Sequence, residues 1–247
     1  MTFEFYLGTH VLPHIDRTDV PLFVSYRQLR ARKKKRFKQK GSVCVDSGGF
    51  SELSLYGEWT ISPEEYVQGL ERLQGLGLEI TWAAQQDMMC EPIMLEKTGL
   101  TVREHQERTV ENLQTLRSFD SSIHFIPVLQ GQTLEDYFTH FEMFEVAGFD
   151  LRKEPTVGVG SVCRCQSSNE IGHIMKCLHA KGLKLHGFGV KTDGLKKYGE
   201  YLKSSDSLAW SYGARFKPPC KSCASRNVKN CANCLEYALN WREGLVQ

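Results

Sequence analysis

Short apolar runs, often β-branched, alternate along the chain with longer segments that have the spacing of amphipathic helices. Segments 62–76, 101–116 and 133–147 are the clearest helices, and the first begins with the Ser-Pro-Glu-Glu sequence typical of a helix N-terminus. Strands that alternate with helices predict parallel βα units. We predict eight strands, at residues 4–8, 22–25, 42–45, 79–83, 124–129, 156–160, 184–189 and 207–210.

The number of these units decides between two α/β folds. Eight units and a length of 247 residues favour a (β/α)8 barrel of the TIM type, which typically needs about 250 residues. An open doubly wound sheet is the alternative. From Phe216 onward the composition changes to a proline pair followed by cysteines. We therefore expect a barrel over residues 1–215 and a small appendage with a C-terminal helix over residues 216–247.

Four cysteines in this appendage have the spacing of a structural zinc site. Two residues separate Cys220 from Cys223, and two separate Cys231 from Cys234. Each pair can hold one edge of a tetrahedral metal, and four thiolates leave no position open for a substrate. The pattern predicts a structural Zn²⁺ ion, with four unrelated buried cysteines as the alternative. The other five are expected to be packing or site-wall residues: Cys44, Cys90, Cys163, Cys165 and Cys177.

Composition indicates a globular protein without a membrane span. The hydrophobic fraction is 41% and the charged fraction is 24%, both typical of soluble domains. No run approaches the roughly 18 apolar residues that a membrane helix needs. The first residues lack the basic flank and apolar stretch of a signal peptide. We expect a cytoplasmic protein whose thiols stay reduced.

Positive charge is concentrated in one run. The net charge is only +2, but eight of the eleven residues from 30 to 40 are lysine or arginine. Such a run is either a solvated face or a patch that binds phosphates by displacing their counterions. The candidates for contact with a nucleic-acid backbone are Arg30, Arg32, Lys33, Lys34, Lys35 and Arg36.

Polar, glycine-rich groups follow most of the predicted strands. A single group of this kind could be a turn or a helix cap. Active sites of parallel barrels lie at the carboxyl ends of the strands, so the recurrence predicts one shared site. The groups are Asp46-Ser47-Gly48-Gly49-Phe50, Gln85-Gln86-Asp87, Gln130-Gly131-Gln132, Gly158-Val159-Gly160-Ser161, Gly187-Phe188-Gly189 and the segment around Asp206.

This order of motifs resembles the tRNA-guanine transglycosylases and their relatives that insert deazaguanines into DNA. The resemblance covers most of the chain from Val43 to the end. Its most specific elements are Asp-Ser-Gly-Gly-Phe at 46–50, Val-Leu-Gln-Gly at 128–131, the Gly-x-Gly strand ends, and a late aspartate followed by cysteines. The same barrel fold is implied by the family.

The resemblance implies a separate role for each of three aspartates. Asp206 would attack the anomeric carbon of the sugar and form a covalent glycosyl-enzyme, chemistry for which a carboxylate is suited. Asp46 would protonate the departing guanine and deprotonate the incoming base. Two carboxyls in one cleft push their pKa values apart, which such a division of roles requires. Asp87 would accept hydrogen bonds from the ring N–H and exocyclic amine of the base.

Further residues would surround the base. Gln130 and the backbone around Gly158 and Gly160 would face its oxygen, and Phe50 would stack on one of its faces. A base inside a duplex cannot be reached, so it must be flipped out or unpaired. At the position before Gly187, where an apolar residue usually covers the base, this chain has histidine. The remaining candidates for the base pocket are Ser47, Gly48, Gly49, Gly131, His186 and Gly187.

Departures from the tRNA enzymes favour the DNA-acting, often phage-borne branch. The chain is shorter, and its metal motif has four cysteines where those enzymes have three cysteines and a histidine. We therefore expect exchange of guanine in DNA for a free 7-deazaguanine base such as 7-cyano-7-deazaguanine, with a homodimer implied by the family. The alternatives are a tRNA substrate, a non-catalytic nucleic-acid-binding subunit, and a hydrolase or glycosylase that transfers the sugar to water.

Overall fold

The computed structural model describes residues 3–162 and 169–246 and contains one parallel sheet. Within these residues nine strand segments follow the order β5-β4-β3-β2-β1-β9-β8-β7-β6 across the sheet. The segments are β1 (Glu4–Gly8), β2 (Leu22–Ser25), β3 (Val43–Asp46), β4 (Ile80–Ala84), β5 (Phe125–Ile126), β6 (Val128–Leu129), β7 (Val157–Val159), β8 (Leu185–Gly187) and β9 (Leu202–Ser207).

The two edges of this sheet belong to one extended stretch of chain. β5 pairs with β4, β6 pairs with β7, and only Pro127 separates β5 from β6. Proline has no N–H to donate and therefore interrupts the strand without ending its path. This stretch brings the sheet round on itself into a nearly closed barrel, and β5 and β6 together correspond to the single predicted strand 124–129. The predicted barrel is confirmed, and the open sheet is excluded.

Helices surround the barrel. Three of them begin with reciprocal capping boxes, at Ser62, Thr101 and Thr133, so the three helices predicted from sequence are confirmed. Two short 3-10 turns lie at Leu12–His14 and Gly199–Tyr201. The helices in the described residues are α1 (Tyr26–Leu29), α2 (Gly49–Tyr56), α3 (Pro63–Gly75), α4 (Pro92–Thr98), α5 (Val102–Ser118), α6 (Leu134–Val146), α7 (Asn169–Ala180), α8 (Thr192–Tyr198), α9 (Ala209–Ala214), α10 (Lys221–Ala224) and α11 (Leu235–Val246).

Neighbouring residues of β1 to β4 belong to two different hydrophobic cores. Leu7, Val24, Val45 and Ala83 pack in the large core that includes the helices. Their strand neighbours form a smaller, mainly aromatic core inside the barrel. That inner core consists of Tyr6, Phe23, Cys44, Trp82, Ala84 and Ile126, with Phe188 packed against it.

The last strand lies earlier in the chain than predicted. The sequence predicts a strand at 207–210, but β9 spans Leu202–Ser207 and α9 begins at Ala209. Four of the six residues of β9 are serine or aspartate, so the hydrophobic pattern does not mark it. Pairing with β1 on one side and β8 on the other supplies its backbone hydrogen bonds. Asp206 consequently lies inside a strand, where the alternation that places Ser204 in the barrel places Asp206 there as well.

The tail packs against the barrel through its last helix. α11 contacts α9 and β1, and the rings of Trp241 and Phe5 lie 6.0 Å apart. The Arg242 guanidinium donates to the carbonyl of Phe5 at 3.1 Å. Among the described helices, none combines the length and the apolar character needed to cross a membrane.

Candidate active site

A cavity of about 410 Å³ opens at the carboxyl ends of the strands. Asp46 from β3, Asp206 from β9 and Asp87 from the loop after β4 all line it. The structure therefore brings together the three aspartates that the sequence places 41 and 119 positions apart. Five further predicted residues line the same cavity: Ser47, Gly49, Phe50, Gln130 and Gly160.

The Asp206 carboxylate is contacted by one residue of β8 and by one residue of the loop that follows β8. The backbone N–H of Gly189 donates to Oδ1 at 3.0 Å, and Nε2 of His186 lies 3.4 Å from the same oxygen. Only 7% of the residue is exposed, although it lines the cavity. Both contacts fall on Oδ1, so the geometry leaves the other carboxylate oxygen as the one available to a reactant.

Asp46 is suited to carry a proton near neutral pH. Burial raises the pKa of its carboxyl to about 6, because protein surrounds it everywhere except at the cavity. Hydrogen bonding from Ser25 and from the backbone of Gly48 lowers this pKa, and the negative charge of Asp206 raises it. Gly48 has φ +88°, a left-handed conformation that glycine adopts readily, and it caps α2.

Asp87 belongs to a hydrogen-bonded chain of residues that line the cavity. The amide nitrogen of Gln130 donates to its Oδ2, and the hydroxyl of Ser161 lies 2.6 Å from Oε1 of Gln130. Burial raises the pKa of Asp87 to about 7, against the lowering effect of Gln130. The charges of Asp46 and Glu91 also raise it. Gln130 is thereby fixed with its nitrogen toward Asp87.

Sequence reasoning missed several residues of the cavity wall. Glu91 lines the cavity, and its Oε2 lies 2.9 Å from the Ser161 hydroxyl. Arg27 also lines it and forms an ion pair with Glu52, which is fully buried. Ser161 and Phe188 stand within glycine-rich strand ends that the sequence singles out, so those motifs could have indicated them. Glu91 and Arg27 have no comparable signal.

His186 and Gly187 do not line the cavity, contrary to the expectation for the base pocket. His186 is completely buried in the barrel interior, behind Asp206. The reason is the alternation of side chains along β8. The His186 side chain points into the barrel interior, deeper than the strand ends at which the cavity opens. Phe188, one step beyond the end of β8, occupies the cavity wall where a residue covering the base was expected.

Gly131, Gly158 and Gly160 allow close packing of neighbouring groups more than they provide direct contacts to a base. The N–H groups of Gly158 and Gly160 donate to Pro127 and Leu129 within the sheet, at 2.8 and 3.0 Å, so they are not free to contact a base oxygen. A Cβ on Gly158 would lie 2.5 Å from the ring of Phe188. Four expected pocket glycines lie outside the cavity lining: Gly48, Gly131, Gly158 and Gly187.

The basic run passes along the side of the barrel. At its start, a guanidinium nitrogen of Arg30 lies 3.9 Å from the Glu52 carboxylate, beside the cavity residue Arg27. Further on, the N–H of Phe37 donates to the carbonyl of Leu76, just beyond the end of α3. The run therefore extends from the cavity mouth toward the strand starts. Four of its expected backbone-contact residues are exposed: Lys33, Lys34, Lys35 and Arg36.

Arg32 differs from the other cations of the run. Its side chain is only 9% exposed and lies 3.5 Å from the carboxylate of Asp16. Its guanidinium stacks over the ring of Phe37 at 4.1 Å and donates to the carbonyl of Lys35. These contacts occupy Arg32 within its own chain, so the expectation that it contacts a nucleic-acid backbone is not supported by its placement.

The four cysteines of the tail converge on one point. The sulfur atoms of Cys220, Cys223, Cys231 and Cys234 all lie within 4.8 Å of one another, a separation compatible with one tetrahedral metal ion. The Ser222 hydroxyl, 3.3 Å from the Cys220 sulfur, is the main cause that lowers the pKa of this thiol to about 6.

The remaining cysteines lie apart from this cluster. Cys44 and Cys90 are buried and Cys177 is half-buried, as expected for packing residues. Cys44 belongs to the inner core of the barrel. Cys163 and Cys165 lie outside the described residues, so the expectation for these two is not addressed.

Comparison with known families identifies a match over the whole chain. The model of the family described as DpdA, DeoxyPurine in DNA protein A, matches residues 1–247. The matched region therefore includes the three aspartates of the cavity and the cysteine tail. Comparison with curated proteins gave no match.

We expect Asp87→Asn to stabilise the fold, and more at pH 8 than at pH 5. The pKa of this carboxyl rises from 3.8 to about 7 on folding, so its ionisation opposes folding increasingly from about pH 4 and fully above pH 7. Each pKa unit corresponds to about 1.4 kcal/mol, which predicts a gain on the order of a few kcal/mol at pH 8. Denaturant unfolding at both pH values measures it. Asp150→Asn is the control, because Arg152 lowers the pKa of that exposed carboxyl; equal gains from Asp87→Asn at both pH values would contradict the assignment.

Gly160→Ala should impair base binding while leaving the fold intact. A Cβ at this position would lie 2.1 Å from the amide nitrogen of Gln130, so the amide must shift, which disturbs its hydrogen bond to Asp87. We expect kcat/KM for the free base to fall at least about tenfold, the effect of losing roughly one hydrogen bond to a charged group. Gly75→Ala is the matched control, because no atom lies within 4 Å of a Cβ there. Unchanged kinetics in Gly160→Ala would show that base binding does not require Gln130 in its present position.

Proposed function

The chain belongs to the DeoxyPurine in DNA protein A (DpdA) family, whose members are DNA-acting enzymes related to the tRNA-guanine transglycosylases. We propose that it exchanges guanine in DNA for a 7-deazaguanine such as 7-cyano-7-deazaguanine. The family supports insertion of a 7-deazaguanine into DNA in general. The observation that carries the specific proposal is the convergence of Asp46, Asp87 and Asp206 on one cavity of about 410 Å³.

In the first half of the reaction, Asp206 acts as the nucleophile. Its free carboxylate oxygen attacks the anomeric carbon, the bond from that carbon to guanine breaks, and a covalent glycosyl-enzyme forms. The electron pair of the broken bond leaves with guanine. Asp46 supplies a proton to the departing base, a role that suits a carboxyl whose pKa burial raises to about 6.

In the second half of the reaction, the same steps run in reverse with the incoming 7-deazaguanine in place of guanine. The carboxylate of Asp46, now without its proton, accepts one from the incoming 7-deazaguanine. The base then attacks the anomeric carbon and displaces Asp206, which leaves readily as a carboxylate. Exchange instead of hydrolysis requires that a base, not water, occupies the cavity at this stage.

Base recognition falls to Asp87, Gln130 and the aromatic walls. Asp87 matches the ring N–H and exocyclic amine of guanine, two donors that a carboxylate accepts together. The side-chain amide of Gln130 donates one hydrogen bond to Asp87, and its second N–H can donate to the oxygen of the base. Phe50, which is 43% exposed at the cavity, and Phe188 can stack on the base.

The cavity suits one base that has left its stack. A guanine within a duplex cannot reach carboxyls at the strand ends, so the target nucleotide is flipped out or already unpaired. The exposed cations from Lys33 to Arg36, along the side of the barrel, would neutralise phosphates of the DNA backbone. Family membership favours DNA over tRNA as the polymer.

We further infer that the cysteine cluster holds a structural Zn²⁺ ion. Four sulfur ligands close a tetrahedral site and supply no open position for chemistry, so the ion would stabilise the tail.

The tail also contacts the mouth of the cavity. Asn233 lies between two of the cysteines, and its side-chain oxygen is 2.7 Å from Nε2 of His10. His10 lines the cavity and stacks on the buried Trp210.

Purified protein should incorporate labelled guanine into DNA, and Asp206→Asn should abolish this activity. Loss of the nucleophile is expected to lower the exchange rate by on the order of 10³-fold or more, and Asp46→Asn by about 10²- to 10⁴-fold. Scintillation counting of DNA and of tRNA incubated in parallel measures the transfer. Asp193→Asn, at an exposed position in the first turn of α8, is the matched control.

The outcomes of this assay separate the alternatives. Label in tRNA alone would make tRNA the substrate. Release of guanine without incorporation would favour a glycosylase. Exchange that persists undiminished in Asp206→Asn would remove Asp206 from its role, and the absence of activity on both polymers would favour a non-catalytic binding subunit.

Metal analysis should find about one zinc ion per chain, and Cys231→Ser should lose it together with thermal stability. The loss follows because a tetrahedral site with three thiolates binds zinc less tightly, and metal binding adds directly to folding free energy. Elemental analysis and thermal melts give both quantities. Cys177→Ser, outside the cluster, should change neither. A wild-type protein that is both metal-free and fully stable would refute the zinc site.

A further inference from the structure

His186 is a fully buried polar residue that the proposed reaction leaves without a role. It lies on β8 in the interior of the barrel, and no part of its side chain is exposed. Four aromatic rings surround the imidazole, with centroids between 4.8 and 5.9 Å away: Tyr6, Phe23, Trp82 and Phe188. A phenylalanine or leucine would suit such surroundings better, because a buried imidazole loses its hydrogen bonds to water.

One ring nitrogen is matched by a serine hydroxyl. Nδ1 lies 2.9 Å from Oγ of Ser204, the residue that pairs with His186 across the β8–β9 ladder. A hydroxyl can donate to an unprotonated nitrogen, and in doing so it selects the tautomer that carries the hydrogen on Nε2. Ser204 is itself buried, so water does not compete for this bond.

The other ring nitrogen lies close to the proposed nucleophile. Nε2 has no hydrogen-bond partner of regular geometry among the residues that the structure describes. It lies 3.4 Å from Oδ1 of Asp206, two residues beyond Ser204 on the same face of β9. Contacts between catalytic groups are often long without substrate and shorten in the reacting complex.

We propose that His186 is a positioning residue, which donates its Nε2 hydrogen to Oδ1 of Asp206 and so directs the other carboxylate oxygen at the anomeric carbon. This inference rests on the proposed role of Asp206 as nucleophile. The backbone N–H of Gly189 donates to the same Oδ1 at 3.0 Å, so two donors on one oxygen hold the carboxylate plane in a single orientation. The aromatic rings around the imidazole prevent it from turning away.

The two donors remain useful throughout the reaction. When the free oxygen of Asp206 bonds to the anomeric carbon, the bond to guanine breaks and guanine takes its proton from Asp46. Oδ1 becomes the carbonyl oxygen of the glycosyl ester, which still accepts hydrogen bonds from His186 and Gly189. When the incoming base displaces the ester, the same donors stabilise the carboxylate that is released. The imidazole neither gains nor loses a proton in either step.

Two substitutions of His186 separate positioning from packing. His186→Phe keeps a buried ring but removes the donor, whereas His186→Gln can place an amide N–H near the position of Nε2. The rate to measure is formation of the covalent protein–DNA adduct in a single turnover without free base, followed by denaturing electrophoresis. We expect His186→Phe to lower this rate about 10- to 100-fold and His186→Gln to recover most of it. The KM for free base should stay within about twofold in both variants.

A third variant tests the tautomer without touching the ring. Ser204→Ala leaves the imidazole in place but removes the hydroxyl that selects its Nε2–H form, and we expect a loss of about 3- to 10-fold in the adduct rate. Thermal melts of all variants accompany the kinetics. This variant keeps the inference testable if His186→Phe does not fold.

The results that would overturn the inference are distinct from those that would overturn the proposed function. If the wild-type protein forms no adduct, the nucleophile role of Asp206 and the role of His186 fail together. If the wild type forms the adduct but His186→Phe or Ser204→Ala forms it equally fast, only the positioning role fails. Equal losses in His186→Phe and His186→Gln that follow their melting temperatures would make His186 a packing residue.

Discussion

The cavity depends on the alternation of side chains along parallel strands that close into a barrel. One or two residues of each of β1 to β4 belong to the inner aromatic core, while their neighbours pack in the core under the helices. The same alternation continues to the carboxyl ends of the strands, where it directs Asp46 and Asp206 inward above that core. A slip of one residue in β9 would turn Asp206 toward the helices and remove it from the cavity.

Burial of carboxyls is unfavourable, and the site compensates each one differently. Asp46 is bonded by Ser25 and by the backbone of Gly48, and Asp87 by Gln130. The pKa values of both nevertheless rise to about 6 and about 7, because burial opposes ionisation more strongly than these bonds favour it. Asp206 instead faces a backbone N–H and an imidazole. Three identical side chains therefore stand in three different surroundings within one cavity.

The tail is connected to the site by specific contacts as well as by chain continuity. The indole N–H of Trp210, in the helix that follows β9, donates to the carbonyl of Gly8 at 2.7 Å. The hydroxyl of Ser211 donates to the carbonyl of Ala232, within the cysteine segment, at 2.8 Å. Together with the contact between Asn233 and His10, these bonds tie the cysteine segment to the ends of β1 and β9. The tail is therefore attached next to the part of the cavity wall that carries Asp206.

Much of this protein could be predicted from its sequence, because several of its patterns are local. Capping residues and helical spacing identify α3, α5 and α6, and the two cysteine pairs indicate a metal site whatever the rest of the chain does. The motif around Asp46 and the late Asp206 support the family resemblance that the match to DpdA confirms. The number of strand-like segments is enough to favour a barrel.

Tertiary structure alone decided which residues of each motif face the cavity. The polar strand β9 has no hydrophobic signature, since its partners in the sheet and not its own side chains stabilise it. Whether Phe188 or His186 lines the cavity depends on where β8 ends, a difference of two residues that propensity cannot resolve. Glu91 reaches the cavity from the N-cap of α4, and Arg27 from α1, where it pairs with the distant Glu52. Sequence determines local chemistry and periodicity, whereas register and long-range packing determine which groups meet.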